Sequence, residues 1–145
     1  MNRPQNYNNH IRFYAPHHFV FYPVMTGLMI FAGWEAATGD AALLWGFLAV
    51  IIATITWLSF MLRQHYALTL QNRIILGELR YRYFMIVGQR LEPLEEKLGE
   101  GQLFALRFAP DEELAELVHR AVSENLSPKA IKRSIRHWKA DHKRV

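Results

Sequence analysis

Between Phe19 and Leu62 the chain carries charge only at Glu35 and Asp40. From Arg63 onward the pattern reverses, and the longest uncharged run is Gln64 to Asn72. A water-soluble domain interleaves apolar and charged positions, because each of its helices has a wet face and a dry one. Here the two classes are segregated along the chain. That segregation predicts a membrane-embedded part and a charged part outside it.

The apolar part divides into two spans. Residues 41–62, from Ala41 to Leu62, contain no charged side chain, and a helix of that length reaches about 30 Å, enough for the hydrocarbon core of a bilayer. A globular core able to enclose such a helix on every side needs more chain than remains. The other span covers residues 18–37; its uncharged run, Phe19 to Trp34, reaches full length only by taking in Glu35. Pro23 falls near its entrance, where a missing backbone donor costs least. The short Glu35-to-Asp40 connection closes a hairpin. The first residues lack a clean cleavage site after a short apolar core, so the first span reads as a retained anchor.

Flanking charge sets the expected orientation. The connection holds two acids and no base, whereas Arg3 and Arg12 precede the first span and Arg63, Arg73, Arg80 and Arg82 follow the second. Under the positive-inside rule both termini face the cytoplasm, as in a multi-pass protein of a cell inner membrane. Tyr22, Trp34 and Tyr66 place amphipathic rings near the span ends. Ala49, Ala53 and Thr56 form a small face suited to close helix packing, with Phe47, Ile51, Ile55 and Leu58 turned away from it.

Beyond the membrane, residues 63–98 read as a helical extension of the second span. Leu68, Ile75, Leu79 and Ile86 form an apolar stripe at helical spacing, which must pack on the tail domain or on a second chain. Gly99 to Gly101 reads as a hinge. Residues 99–145 read as a charged helical domain. Within it Gln102–Phe108 fits either a short helix or a strand. Ala109-Pro-Asp-Glu-Glu opens a helix with proline in the first turn and acids beside the free backbone donors. Leu114, Leu117, Val118, Ala121 and Val122 form its dry face. Ser127-Pro128 caps and opens a last helix, with Ile131, Ile135 and Trp138 along one side. The expected fold class is therefore all-α: a two-helix hairpin whose second helix extends outward, then a small helical domain. Residues 1–17 form a separate N-terminal segment.

Charge is polarised within this tail. Glu92, Glu95, Glu96, Glu100, Asp111, Glu112, Glu113 and Glu116 stand against Lys97 and Arg107, while Lys129, Lys132, Arg133, Arg136, Lys139, Lys143 and Arg144 stand against Asp141. The candidate interaction face is Lys129, Lys132, Arg133, Arg136 and Lys139. It has three readings: pairing with the acidic stretch of its own domain or of a partner protein, contact with anionic lipid headgroups, and phosphate contact in a nucleic-acid groove. The first is preferred because complementary acids are already present. Nucleic acid is least favoured, since a membrane tether limits access.

Histidines supply a further alternative. His10, His17 and His18 precede the first span and His65 follows the second, so haem or metal binding at the membrane surface is open to them. No ligand-spaced carboxylate pair accompanies them, and interfacial hydrogen bonding is the simpler expectation; no cofactor is expected. There is no cysteine, which removes thiolate chemistry. Glycine-rich phosphate loops, a serine elbow and an HExxH pattern are missing. The expectation is a protein that is not an enzyme, acting as an accessory, scaffolding or interaction subunit of a membrane assembly, with protein partners or self-association through the hairpin and the outer helices.

Four stretches carry a resemblance: Gln5-Asn-Tyr-Asn-Asn-His10 with His18-Phe19, Leu70-Gln-Asn-Arg-Ile74, Gln102 through Leu114, and Ile131 through Asp141 with Arg144-Val145. Together they resemble a family of uncharacterised bacterial membrane proteins of similar length. The resemblance implies a domain of unknown function with two spans and a cytoplasmic helical tail. It supplies no activity, catalytic set or cofactor. Lys139-Ala140 departs from the Arg-Pro pair that often follows Trp138 in that family, leaving the last helix less sharply stopped.

Overall fold

A computed structural model describes residues 5–10 and 15–141, and every regular element among them is helical. Arg3, Arg12, Lys143 and Arg144, used above for orientation and charge, lie outside the described residues. The chain divides into two compact units. One contains residues 15–69, and the other combines residues 5–10 with 70–141.

The apolar unit is a helical hairpin. Helix α1 (Tyr22–Thr38) and helix α2 (Ala42–Met61) lie side by side. Their facing positions repeat at alternating steps of four and three. His18, Tyr22, Met25, Met29, Ala32 and Ala36 on one arm, and Trp45, Ala49, Ile52, Thr56, Ser59 and Arg63 on the other, are the more shielded residues. This is the spacing of a coiled-coil seam. Ile52 takes the place expected for Ala53, which is exposed; Ala49 and Thr56 sit where the small-face reading put them. Phe31 meets Trp45 edge to face at 5.4 Å near the turn. There the Gly39 amide donates to the Glu35 carbonyl at 2.8 Å, and a Cβ on Gly39 would lie 2.8 Å from that same oxygen. Only glycine fits so close an approach.

The outer sides of the hairpin are not covered by protein. Helix α2 has no buried residue and α1 buries only Ala32. The helical runs Pro16–Thr38 and Ala42–Val87, which contain them, are long and apolar enough to cross a membrane. Each arm also has a wider-wound turn that the sequence did not suggest: π-helical Pro16–Phe21 precedes α1, and π-helical Leu62–Ala67 follows α2. The helical run continues from Ala42 to Val87 without interruption.

Helix α3 (Leu68–Val87) enters the second unit and ends at Gly88. Gly88 adopts φ +71, a left-handed conformation that glycine holds without steric penalty, and its amide donates to the Phe84 carbonyl. The helix therefore stops short of residue 98, where the extension was expected to end. Four short helices follow: α4 (Glu92–Glu95), α5 (Glu100–Leu106), α6 (Asp111–Ser123) and α7 (Pro128–Ser134). Residues 102–106 are thus helix and not strand. One core joins them, built from Leu79 and Tyr83 of α3, Leu91, Leu103, Leu106, Phe108, Leu114, Val118 and Ile131. The extension and the tail are consequently one unit, with no division at Gly99. The expected stripe packs on the tail through Leu79, with Ile75 also buried, and Tyr83 rather than the exposed Ile86 continues it.

Gly99 to Gly101 is a packed helix start rather than a hinge. The Gln102 side chain accepts from the Gly99 amide at 2.6 Å and donates to the Leu126 carbonyl at 2.8 Å, tying α5 to the α6–α7 corner. That corner turns at Asn125, which has positive φ, and Ser127 caps α7 by accepting from the Ala130 amide. Pro110 is the residue just before α6, one place earlier than expected, with Asp111, Glu112 and Glu113 in the first turn.

Arg82 is the main polar tie between α3 and the rest. It donates twice to Asp111 Oδ1, at 2.9 and 2.6 Å, and to the carbonyls of Arg107 and Ala109 at 3.2 and 2.7 Å. Only 15% of its side chain is exposed. Its hydrogen bonds hold the Asp111 carboxyl below the usual carboxylate range. A depressed carboxylate pKa stabilises the fold above the unfolded value and loses that contribution as pH falls through the folded one. Thermal melting of the detergent-solubilised chain should therefore weaken as pH drops below about 4. Arg82→Ala should cost about 3 kcal/mol at neutral pH, and Arg82→Lys should recover little of it, because a single ammonium cannot reach both carbonyls and the carboxylate.

Candidate functional site

The sequence placed five bases on one face of a last helix, and the structure distributes them over three environments. Helix α7 ends at Ser134, so Lys129, Lys132 and Arg133 are helical but Arg136 and Lys139 are not. Ile135 is extended, with ψ 121, and the chain turns back toward α6. Glu113 causes this. Its carboxylate accepts from the Arg136 amide at 2.9 Å and from the His137 amide at 3.0 Å, and meets His137 Nδ1 at 3.1 Å. Partial burial works against its ionisation, yet these hydrogen bonds outweigh that and leave its pKa lowered. The segment 135–138 thus gives its backbone donors to Glu113 instead of to a further helical turn. Continuing inward, the Lys139 amide donates to the Phe108 carbonyl, and Lys139 Nζ lies 3.7 Å from Asp111.

Lys132 and Arg133 face a partner that pattern reading had set apart: the chain's own N-terminal segment. His10 sits against the rings of Phe108 and Trp138, each 5.7 Å away, while those two rings pack 4.9 Å from one another. The Lys132 ammonium donates to His10 Nε2 at 3.0 Å. Since Nε2 accepts, the ring proton is on Nδ1, which donates to the Tyr7 carbonyl at 2.6 Å. Arg133 lies over the Tyr7 ring, 5.3 Å from its centroid. Gln5, buried, accepts from the Asp141 amide at 2.8 Å. Asn6 and Asn9 close the turn locally through side chain to backbone bonds. Residues 5–10 are therefore a strap clasped to the end of the tail domain. Arg136, through its amide, and Lys139 meet acids of α6, while Lys132 and Arg133 meet aromatic and imidazole groups of the strap. Lys129 and the Arg136 side chain are exposed.

A cleft of about 460 Å³ borders this region between α3 and residues 139–141. Its cations face nearby counter-charges: Arg82 and Lys139 meet Asp111, and Arg107 Nε is 3.6 Å from Asp141 and over the Phe108 ring. Charge around the cleft is thus balanced internally.

The other histidines of the candidate set, His17, His18 and His65, lie in the hairpin unit. His17 Nε2 meets Ser59 Oγ at 2.9 Å and its ring stacks on Tyr22 at 4.6 Å. His18 Nε2 is 2.7 Å from an Arg63 guanidinium nitrogen. These contacts pin the open ends of α1 and α2 together. Among the described residues no three His, Asp or Glu side chains converge as a metal set. The strap is what sequence reasoning missed. Its signal was present, because Gln5–His10 and Ile131–Trp138 were both singled out as distinctive, but nothing in spacing joins stretches so far apart.

The chain belongs to a family of unknown function, DUF6526, whose pattern matches residues 1–145. No curated protein and no solved structure matches it.

Trp138→Ala should remove the surface on which His10 rests and release the strap. The expected result is faster proteolysis within residues 5–10, with Lys129→Ala unchanged, measured by mass spectrometry of limited digests.

Proposed function

We propose that this chain is a two-span integral membrane protein that holds its strap and tail domain together on the cytoplasmic side, as an interaction module within a membrane assembly. One observation carries the topology. Residues 5–10, before the first apolar helix, and residues 70–141, after the second, form one compact unit. If the hairpin between them is in a bilayer, the chain must leave and return on the same side. Flanking charge points the same way independently, through Arg63, Arg73, Arg80 and Arg82.

Support for an interaction role comes from what the tail leaves outward. Its polar groups are largely satisfied inside the unit, so the exposed Lys129, Arg136 and Glu112, with the apolar residues on the outer side of α3, are what a partner would meet. Lys132 and Arg133 are engaged with the strap, which leaves Lys129 and Arg136 for contact with anionic lipid. We read the protein as a non-catalytic component.

The absence of native cysteine makes the topology directly testable. Single cysteines at Asp40 and Lys129 should label with a membrane-impermeant maleimide from opposite sides of sealed vesicles, Lys129→Cys from the cytoplasmic face. Labelling of both from one side would contradict the arrangement.

A further inference from the structure

Helix α3 is apolar on two sides. Ile75, Leu79 and Tyr83 are buried against the core of their own unit. On the opposite side, about 180° around the helix at 100° per residue, lie Leu70, Ile74, Gly77, Tyr81 and Phe84. Leu70 is 59% exposed, Ile74 61%, Tyr81 66% and Phe84 50%, and a Cβ on Gly77 would meet nothing within 4 Å. A helix packed on one face only has no reason to carry a second apolar stripe.

The spacing of that stripe specifies what covers it. Steps of four, three, four and three are the heptad repeat, with Leu70, Gly77 and Phe84 at d and Ile74 and Tyr81 at a. Arg73 then falls at g and Glu78 at the following e. In a parallel pair of such helices, g of one strand faces the next e of the other, so Arg73 meets Glu78 of the second strand, and symmetry repeats the pair. Both side chains are exposed and flank the stripe on either side. An antiparallel pairing would not bring g to e.

We propose that a second copy of this chain covers this face, forming a parallel two-stranded coiled coil through α3. The proposal deepens the membrane reading above and rests on it for direction: copies inserted with one topology are related by rotation about the bilayer normal, which sets like surfaces together in parallel. Gly77 at the centre of the seam lets the two backbones approach closely, and Ile74 and Tyr81 pack above and below it.

The test uses the full chain in membranes, with single cysteines at Ile74, Tyr81 or Lys129 and mild oxidation. Parallel, in-register strands bring a-position residues to within disulfide reach of their own copies. Ile74→Cys and Tyr81→Cys should each give a cross-linked dimer, and Lys129→Cys should not. In the Tyr81→Cys background, Arg73→Glu should reduce the cross-linked fraction about fivefold, and Arg73→Glu with Glu78→Arg should restore it. Equal cross-linking at all three positions overturns the pairing. So does absence of cross-links in a chain whose Asp40 and Lys129 label from opposite sides. Specific cross-links in a chain that labels from one side only would support the pairing and count against the membrane reading alone.

Discussion

An apolar helix surface must be removed from water by something, and here the chain itself does not do it. Burial of apolar area is worth about 25 cal/mol per Å², and α2 exposes Leu43, Phe47, Val50, Ile51, Trp57 and Leu58 with no protein against them. Packing α1 on α2 shelters a single seam on each helix. The remaining perimeter needs a solvent of its own kind. A bilayer meets that need and imposes a second condition, that backbone donors and acceptors be satisfied within each helix. Thr54 and Thr56 comply, their hydroxyls donating to carbonyls one turn back. The only break in the described hairpin is the Gly39–Ala41 turn, at its end.

The other unit obeys opposite rules. Three of its helices, α4, α5 and α7, are too short to stand alone, since helices under about 12 residues are marginal in water, and they hold through burial and side-chain ties. Tyr83, Leu91, Leu106, Phe108 and Ile131 are almost wholly enclosed, and Arg82, Gln102 and Glu113 each join elements distant in sequence through backbone carbonyls or amides. The strap completes the same surface. The segments before and after the hairpin thus share one fold, so the two apolar helices become an insertion within a domain rather than an anchor at its edge.

Sequence reading recovered what depends on local pattern. The hairpin follows from the long uncharged runs, the dry face of α6 from Leu114, Leu117, Val118 and Ala121, and the start of α7 from Ser127 and Pro128. What it missed depends on contacts distant in sequence. Trp138 sits at helical spacing from Ile131 and Ile135, but Glu113 captures the amides of Arg136 and His137 and ends the helix early. Gly99 and Gly101 suggest a hinge, and Gln102 turns them into a packed corner. His10 looks like one of several interfacial histidines until Phe108 and Trp138 meet around it. Of the five bases of the proposed face, Lys139 meets an acid of α6, whereas Lys132 and Arg133 meet the strap, which no charge count reveals.

The claim beneath this account is that lipid surrounds α1 and α2. Alkaline extraction of membranes from cells expressing the full chain, followed by high-speed centrifugation, tests it most directly. The protein should stay in the pellet and enter solution only with detergent. A compact, monodisperse species in the detergent-free supernatant would contradict it.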